Sequence, residues 1–209
     1  MIVKKLTLED ALSLDLFDSI LAPQELTEFK SQNKDLRIEK YTLQLEDGYF
    51  SHWEKTLVKE KNRRGEVAMA IRNPKGQILL HTKSYYPDGA FRIPTGGVKI
   101  DEPVANALKR ELFEETGFSE NKASMLAIVL FEFKNKNKSL PFASYLYLID
   151  VGEGEPKVQD AGEEISSFKW VDRKGLEQTV QQLKSLSNTW AHWGMVRAIP
   201  HEILLQLMI

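Results

Sequence analysis

The chain has 209 residues, 42% of them hydrophobic and 28% charged, an ordinary composition for a folded chain holding one large domain or one domain with extensions. With 28 Lys and Arg against 30 Asp and Glu, the net charge of −2 excludes a global positive field for a nucleic-acid backbone or an anionic membrane. The absence of cysteine excludes disulfides, thiolate metal sites and a cysteine nucleophile, and fits a reducing cytoplasm, the location we expect.

In chain order, LTLEDALSLDLFDSILA sets leucines, Phe17 and Ile20 at mixed helical spacing, and Pro23 opens a second short helix, so residues 1–34 are predicted to form a helical extension. LRIEKYTLQLEDGYFSHWEKTLVKE alternates on both sides of Asp47-Gly48, which predicts a β-hairpin turning there. Two further apolar strands flank Asn73-Pro74-Lys75-Gly76, and SMLAIVLFEF and FASYLYLIDV flank a polar tip, KNKNKSLP. One clear helix, from about Pro103 to Thr116, interrupts the strands. A last strand, SSFKWV, precedes helical segments from about residue 174. The longest apolar run, MLAIVLF, falls far short of the ~20 residues of a spanning helix, so no membrane association is expected. Strands around one strong helix, with more helix at the end, predict an α/β fold in which helices cover a mixed sheet.

The helix at 103–116 carries a crowd of like charges. At about 100° per residue, Val104, Ala105, Leu108 and Leu112 gather on one stripe, with Glu111 and Glu115 at its edge and Glu114 just beyond. Carboxylates three and four residues apart repel, and partial burial adds to the cost. Arg110 neutralises one at most. A divalent ion that prefers oxygen ligands relieves the rest, and with no cysteine and few histidines a hard ion, Mg²⁺ or Mn²⁺, is favoured. Gly117 suits the left-handed position that ends such a helix.

Upstream lies GGVKIDEPVANALKRELFEETGF: Gly96, then Glu102 after five residues, then Arg110-Glu111 after seven more, Leu112, Glu114-Glu115, Gly117 and Phe118. Every defined position of the pattern GX5EX7REUXEEXGU, with U apolar, is filled. At ordinary residue frequencies a chance match in such a chain is on the order of one in ten million. The chain resembles the Nudix hydrolases. The resemblance implies an α/β/α sandwich with a mixed sheet, here with N- and C-terminal helical extensions: the extension at 1–34, a hydrolase domain at 35–175 that includes the N-terminal hairpin, and C-terminal helices at 176–209 packed on the same domain. It implies that Glu111, Glu114 and Glu115 bind Mg²⁺, usually with the carbonyl of Gly96, and that Arg110 pairs with Glu102. It further implies hydrolysis of a nucleoside diphosphate linked to another moiety: a small nucleotide-type substrate, with no nucleic acid. A further carboxylate is often drawn from a loop before a late strand. DAGEEISSFKWV offers Glu163 and Glu164 there, with Glu164 carried as the catalytic candidate and the choice left open.

The substrate is less legible. LEDGYFSHWEKTLVKE and then FRIPTGG are similar in layout to ADP-ribose pyrophosphatase relatives, whose N-terminal strands often build a dimer, so a homodimer is entertained. The chain departs from them where Arg92 stands in place of a glutamate and where residue 133 is Phe, the nearest proline being Pro141. Lys83 and Arg92 are taken as candidate contacts to phosphate oxygens. Tyr85 and Tyr86 could stack on a base, and Trp193, Arg197 and His201 recur every four residues along one helical face. His52 and His81 have no ligand-spaced partners. The alternative reading is a ligand-sensing or scaffold domain of the same fold without turnover.

Overall fold

The computed structural model describes residues 1–55, 62–120 and 122–208. Its strands are β1 (Ile2–Leu6), β2 (Arg37–Gln44), β3 (Arg63–Arg72), β4 (Ile78–Lys83), β5 (Thr95–Lys99), β6 (Lys122–Asn135), β7 (Lys138–Asp150) and β8 (Ile165–Val171). Its helices are α1 (Leu8–Leu12), α2 (Pro23–Gln32), α3 (Asp47–Trp53), α4 (Val104–Thr116), α5 (Arg173–Ser185) and α6 (Ala191–Leu207). The strands hydrogen-bond in the order β1-β2-β6-β7-β3-β4-β8, and β5 pairs with β3. Since β1 runs antiparallel to β2 and β2 parallel to β6, the sheet is mixed, as expected for this α/β class.

The residues fall into two compact units. The first comprises Met1–Val67, Gly97–Ala107 and Met125–Leu146, with Phe17, Leu26, Phe131, Phe133, Phe142 and Tyr145 at its centre. Within it, Arg64 ties the N-terminal segment to the loop before α4. Its guanidinium donates to Ile20 O (3.1 Å), Glu25 Oε2 (2.7 Å), Glu102 O (2.9 Å) and the Tyr145 hydroxyl (3.2 Å). The other Glu25 oxygen accepts from the backbone N–H of Val104, the first residue of α4, at 3.1 Å. A carboxylate at that end satisfies a free amide and opposes the positive end of the helix dipole.

The second unit comprises Ala68–Gly96, Leu108–Ser124 and Tyr147–Ile209. Strand β4 lies antiparallel to β8, and α5 packs on α6. Helix α6 runs through Pro200 without a break. In place of the amide that Pro200 lacks, burial of Val196, Ile199, Ile203 and Leu204 fixes the helix.

Three expectations need correction. The N-terminal extension opens with a strand rather than a helix, because Ile2–Leu6 adds to the edge of β2. Asp47-Gly48 begins α3 instead of turning a hairpin. Phe50 and Trp53, three residues apart, are buried, and Trp53 stacks on Phe133 at 4.9 Å, so side-chain burial outweighs the turn preference of Asp-Gly. The end of that expected hairpin, 56–60, lies outside the described residues. The polar tip expected over 134–141 shrinks to Lys136-Asn137, with Lys136 at φ 51, as β6 and β7 extend almost to meet. Among the described residues no helix is long and apolar enough to cross a membrane.

Candidate active site

Helix α4 carries the site. Val104, Ala107, Leu108 and Leu112 form its buried stripe, and Ala105 is exposed, so the stripe is centred one step away from its expected place. Counted at about 100° per residue, Glu111 and Glu115 lie within about 20° of Val104, in the middle of the apolar face rather than at its edge. Glu111 is 4% exposed and Glu115 fully buried. Gly117 ends the helix at φ 71, its amide bonded to Phe113 O, and a side chain there would collide with Gln159 and Lys157 O.

Glu111, Glu114 and Glu163 each bring a carboxylate oxygen within 4.8 Å of the others. Glu115 is not part of this trio. Arg110 bridges two members, Nη1 donating to Glu111 Oε1 at 2.7 Å and to Glu114 Oε2 at 3.1 Å. Gly96 faces Glu111 so closely that a Cβ would stand 2.1 Å from its carboxylate carbon. Only glycine fits without displacing that glutamate. Glu102, in the other unit, accepts from Lys99 N with its carboxylate and from Arg64 with its carbonyl.

Of the two loop glutamates, Glu163 enters the cluster. Glu164 is exposed, sits in the left-handed region at φ 53, and contributes its backbone carbonyl to Ser84 N at 3.0 Å. That bond falls beside the register shift between Thr82 and Lys83 in the β4–β8 pairing. Of the two glutamates between which the choice stood open, Glu163 is the one whose carboxylate lies in the cluster.

Behind the trio stands Lys83. Its ammonium lies 2.8 Å from Glu163 Oε2 and 3.5 Å from Glu115 Oε1. Burial opposes its charge, but Glu115 and Glu163 outweigh burial and raise its pKa. Burial also dominates at Glu115, pushing that carboxyl up to about 8 against the lowering pull of Lys83 and Arg92. An ion pair would have lowered it, so at neutral pH and without a further cation Glu115 keeps its proton and Lys83–Glu163 is the pair that forms. Both Glu115 oxygens are buried without a hydrogen-bond partner. An all-oxygen set with orphaned carboxylate atoms fits a hard divalent cation, which would supply the missing positive charge.

Arg92 does not present its charge to solvent. It is 3% exposed, donating to the Tyr86 hydroxyl (2.6 and 2.9 Å), Ile93 O and Thr95 Oγ1. Lys83 is likewise enclosed, so both expected phosphate contacts are built into the support of the site. His201 of α6 accepts from Ile93 N at Nε2 (2.9 Å), while Nδ1 lies 2.8 Å from Arg197 O, fixing a neutral ring whose pKa burial depresses to about 3. The helix thus braces the Ile93-Pro94 turn just before Gly96. His81, which has no ligand-spaced partner in the sequence, is fully buried beside Lys83 and Arg92, with neither ring nitrogen hydrogen-bonded.

Residues 62–193 match the family model described as NUDIX domain. The chain is 37% identical over 65 residues to an RNA pyrophosphohydrolase of Pasteurella multocida, covering 31% of this chain and 32% of that protein. It is 31% identical over 80 residues to an RNA pyrophosphohydrolase of Baumannia cicadellinicola, covering 38% and 49%. These matches span between a third and a half of the relatives' lengths. A MutT Nudix hydrolase structure from Burkholderia pseudomallei aligns with a TM-score of 0.45 at 25% identity, covering 68% of this chain and 97% of that one.

Proposed function

Because the chain belongs to the Nudix family, we propose that it is a Mg²⁺-dependent hydrolase of a pyrophosphate linkage in a nucleoside diphosphate joined to another moiety. The observation that carries this reading is the trio of Glu111 and Glu114, on the helix of a complete box, and Glu163, from the turn before β8, converging within 4.8 Å. The relatives named RNA pyrophosphohydrolases support cleavage of a pyrophosphate bond in general.

In this mechanism Glu111, Glu114 and Glu163 would hold the ion. A bound Mg²⁺ would polarise the pyrophosphate, offset its charge and acidify the attacking water. Gly96 leaves room for the Glu111 carboxylate, and Arg110 fixes the Glu111 and Glu114 rotamers before substrate arrives. Lys83 orients Glu163 from behind. Glu114 has the most exposed side chain of the trio, at 33%, against 5% for Glu111 and 24% for Glu163. Its carboxylate is therefore the member of the trio that an ion arriving from solvent would reach first.

The test is turnover of a panel containing ADP-ribose, nucleotide sugars, NADH, dinucleoside polyphosphates, nucleoside triphosphates and a 5′-triphosphorylated oligoribonucleotide, with Mg²⁺ and with EDTA. Metal-dependent release of a phosphate-ended product from one class is expected. Silence across the panel with Mg²⁺ binding intact would overturn the enzymatic reading in favour of a sensing domain.

A further inference from the structure

Two aromatic pairs have no part in the carboxylate chemistry: Tyr85-Tyr86 after β4, and Trp190 with Trp193 at the start of α6. They lie more than 100 residues apart in sequence, and the fold joins them into one cluster. Tyr86 is the hub, its ring centroid 5.0 Å from Tyr85, 4.7 Å from Trp193 and 6.3 Å from Trp190, while the two tryptophans are 5.3 Å apart. All four contacts are tilted or edge-on, so no pair is stacked in parallel. A cluster serving only to pack α6 would be expected to enclose its rings. Here Tyr85 is 53% exposed and both tryptophans are half-buried.

The cluster is tied to the carboxylate site by two buried cations. Tyr85 follows two residues after Lys83, whose ammonium touches Glu163, and two extended residues span at most about 7 Å. Arg92 holds the Tyr86 hydroxyl with two hydrogen bonds and places its guanidinium 5.4 Å from the Tyr86 ring centroid. The same Arg92 charge is felt at Glu115. Aromatic surface therefore begins within a nucleotide's reach of the place where the phosphates would be held.

Resting on the pyrophosphohydrolase reading, we propose that the exposed Tyr85 ring, held edge-on by Tyr86, is the face on which the nucleobase of the substrate stacks, with Trp190 and Trp193 packed against Tyr86 to hold it and report on it. Selection is then for a planar aromatic base attached to the phosphates, with weak preference among bases, since every base offers a ring face.

The experiment uses the full chain with Mg²⁺ present and follows tryptophan fluorescence during titration with AMP, GMP and ribose 5-phosphate. None of these contains a pyrophosphate bond, and AMP and ribose 5-phosphate differ in the base. Quenching by AMP and GMP but not by ribose 5-phosphate is expected, with the midpoint raised roughly 5- to 150-fold in Tyr85→Ala, the range that loss of one base–aromatic stack produces. Tyr85→Phe should bind nearly as the parent does, because the ring is kept. No quenching by either nucleotide, equal quenching by ribose 5-phosphate, or unchanged AMP affinity in Tyr85→Ala would overturn the proposal. This binding measurement stands apart from turnover, so absence of hydrolysis with quenching intact would sink the enzymatic reading alone. For substrates that are turned over, Tyr85→Ala should raise KM and leave kcat within about two-fold, since binding is lost equally from ground and transition states. Comparing GTP with a 5′-triphosphorylated oligonucleotide then tells whether the stacked base belongs to a free nucleotide or to an RNA end.

Discussion

Lys83 Nζ lies 2.8 Å from Glu163 Oε2, joining the end of β4 to the loop before β8 and holding in place the one member of the carboxylate trio that α4 does not supply. Replacing Lys83 by Met removes the cation and leaves Glu163 and Glu115 facing one another. A fully buried pair broken in this way costs about 3–5 kcal/mol, and partial exposure of Glu163 reduces the expected loss to about 2 kcal/mol. Denaturant unfolding with and without Mg²⁺ checks this: the ion should recover more stability in the variant than in the parent, because it then stands in for the ammonium lost from beside Glu163 and Glu115.

Glu115→Gln should separate stability from function. A carboxyl whose pKa rises on folding, from its ordinary value to about 8, withdraws stability as pH climbs through that interval. The unfolded chain ionises first, and the folded one must keep the proton. Gln carries no such penalty but buries an amide with few partners, so the expected metal-free gain at pH 7.5 is about 1–2 kcal/mol, vanishing near pH 4.5. Turnover should fall by at least ten-fold. Unfolding midpoints at the two pH values, beside initial rates, decide the matter, and a gain at pH 4.5 equal to that at pH 7.5 would count against the burial argument.

Gly96→Ala places a methyl where the Glu111 side chain now lies. The carboxylate end can swing aside, so the cost in stability should stay near 1–2 kcal/mol, as for other overpacked sites. The metal position cannot move with it. We expect a fall in activity of about 100-fold or more, the scale seen when a reacting group is misplaced by an ångström. Circular dichroism melts compared with Mg²⁺ titrations of activity would expose the difference.

Acid should unfold the second unit through its histidines. Burial holds His201 neutral down to about pH 3 and depresses His81 in the same direction, whereas both take up a proton near pH 6.5 once unfolded. Stability from these neutral rings is present above pH 6.5 and lost as pH falls, at up to about 1.4 kcal/mol per pH unit for each. His201→Leu should be less stable at pH 7, having lost the Ile93 bond, and should show a shallower decline between pH 6.5 and 4.5. Parallel slopes for parent and variant would refute the assignment.

The N-terminal segment should matter for the helix that carries the site. Glu25→Ala removes the acceptor for Val104 N and one partner of Arg64. Loss of a helix-end acceptor and of a partly buried charged hydrogen bond together costs about 1–3 kcal/mol. Glu25→Gln keeps an acceptor and should recover part of it in thermal unfolding.

Local signals encoded a good deal. The bounds of α4, its terminal Gly117 and the crowding of Glu111, Glu114 and Glu115 were all legible in sequence, because helical periodicity and end-capping act within about ten residues. So were β4, β6, β7 and β8, whose apolar runs and polar breaks are contiguous. Asp47-Gly48 misled because its local preference for a turn is small beside the burial of Phe50 and Trp53.

What the tertiary structure alone decided concerns partners far apart in the chain. Glu163 and Glu164 are adjacent and chemically identical, and only the folded backbone separates them, bringing the Glu163 carboxylate to those of α4 and leaving Glu164 exposed. Lys83 and Glu163 are separated by 80 residues, and the tyrosine pair by still more from the tryptophans, so no spacing rule connects them. Arg92 looked like a phosphate contact by residue type, and burial made it a brace for Tyr86. Residue chemistry determined that a carboxylate cluster stands on this helix. Strand register and side-chain burial determined which groups complete it.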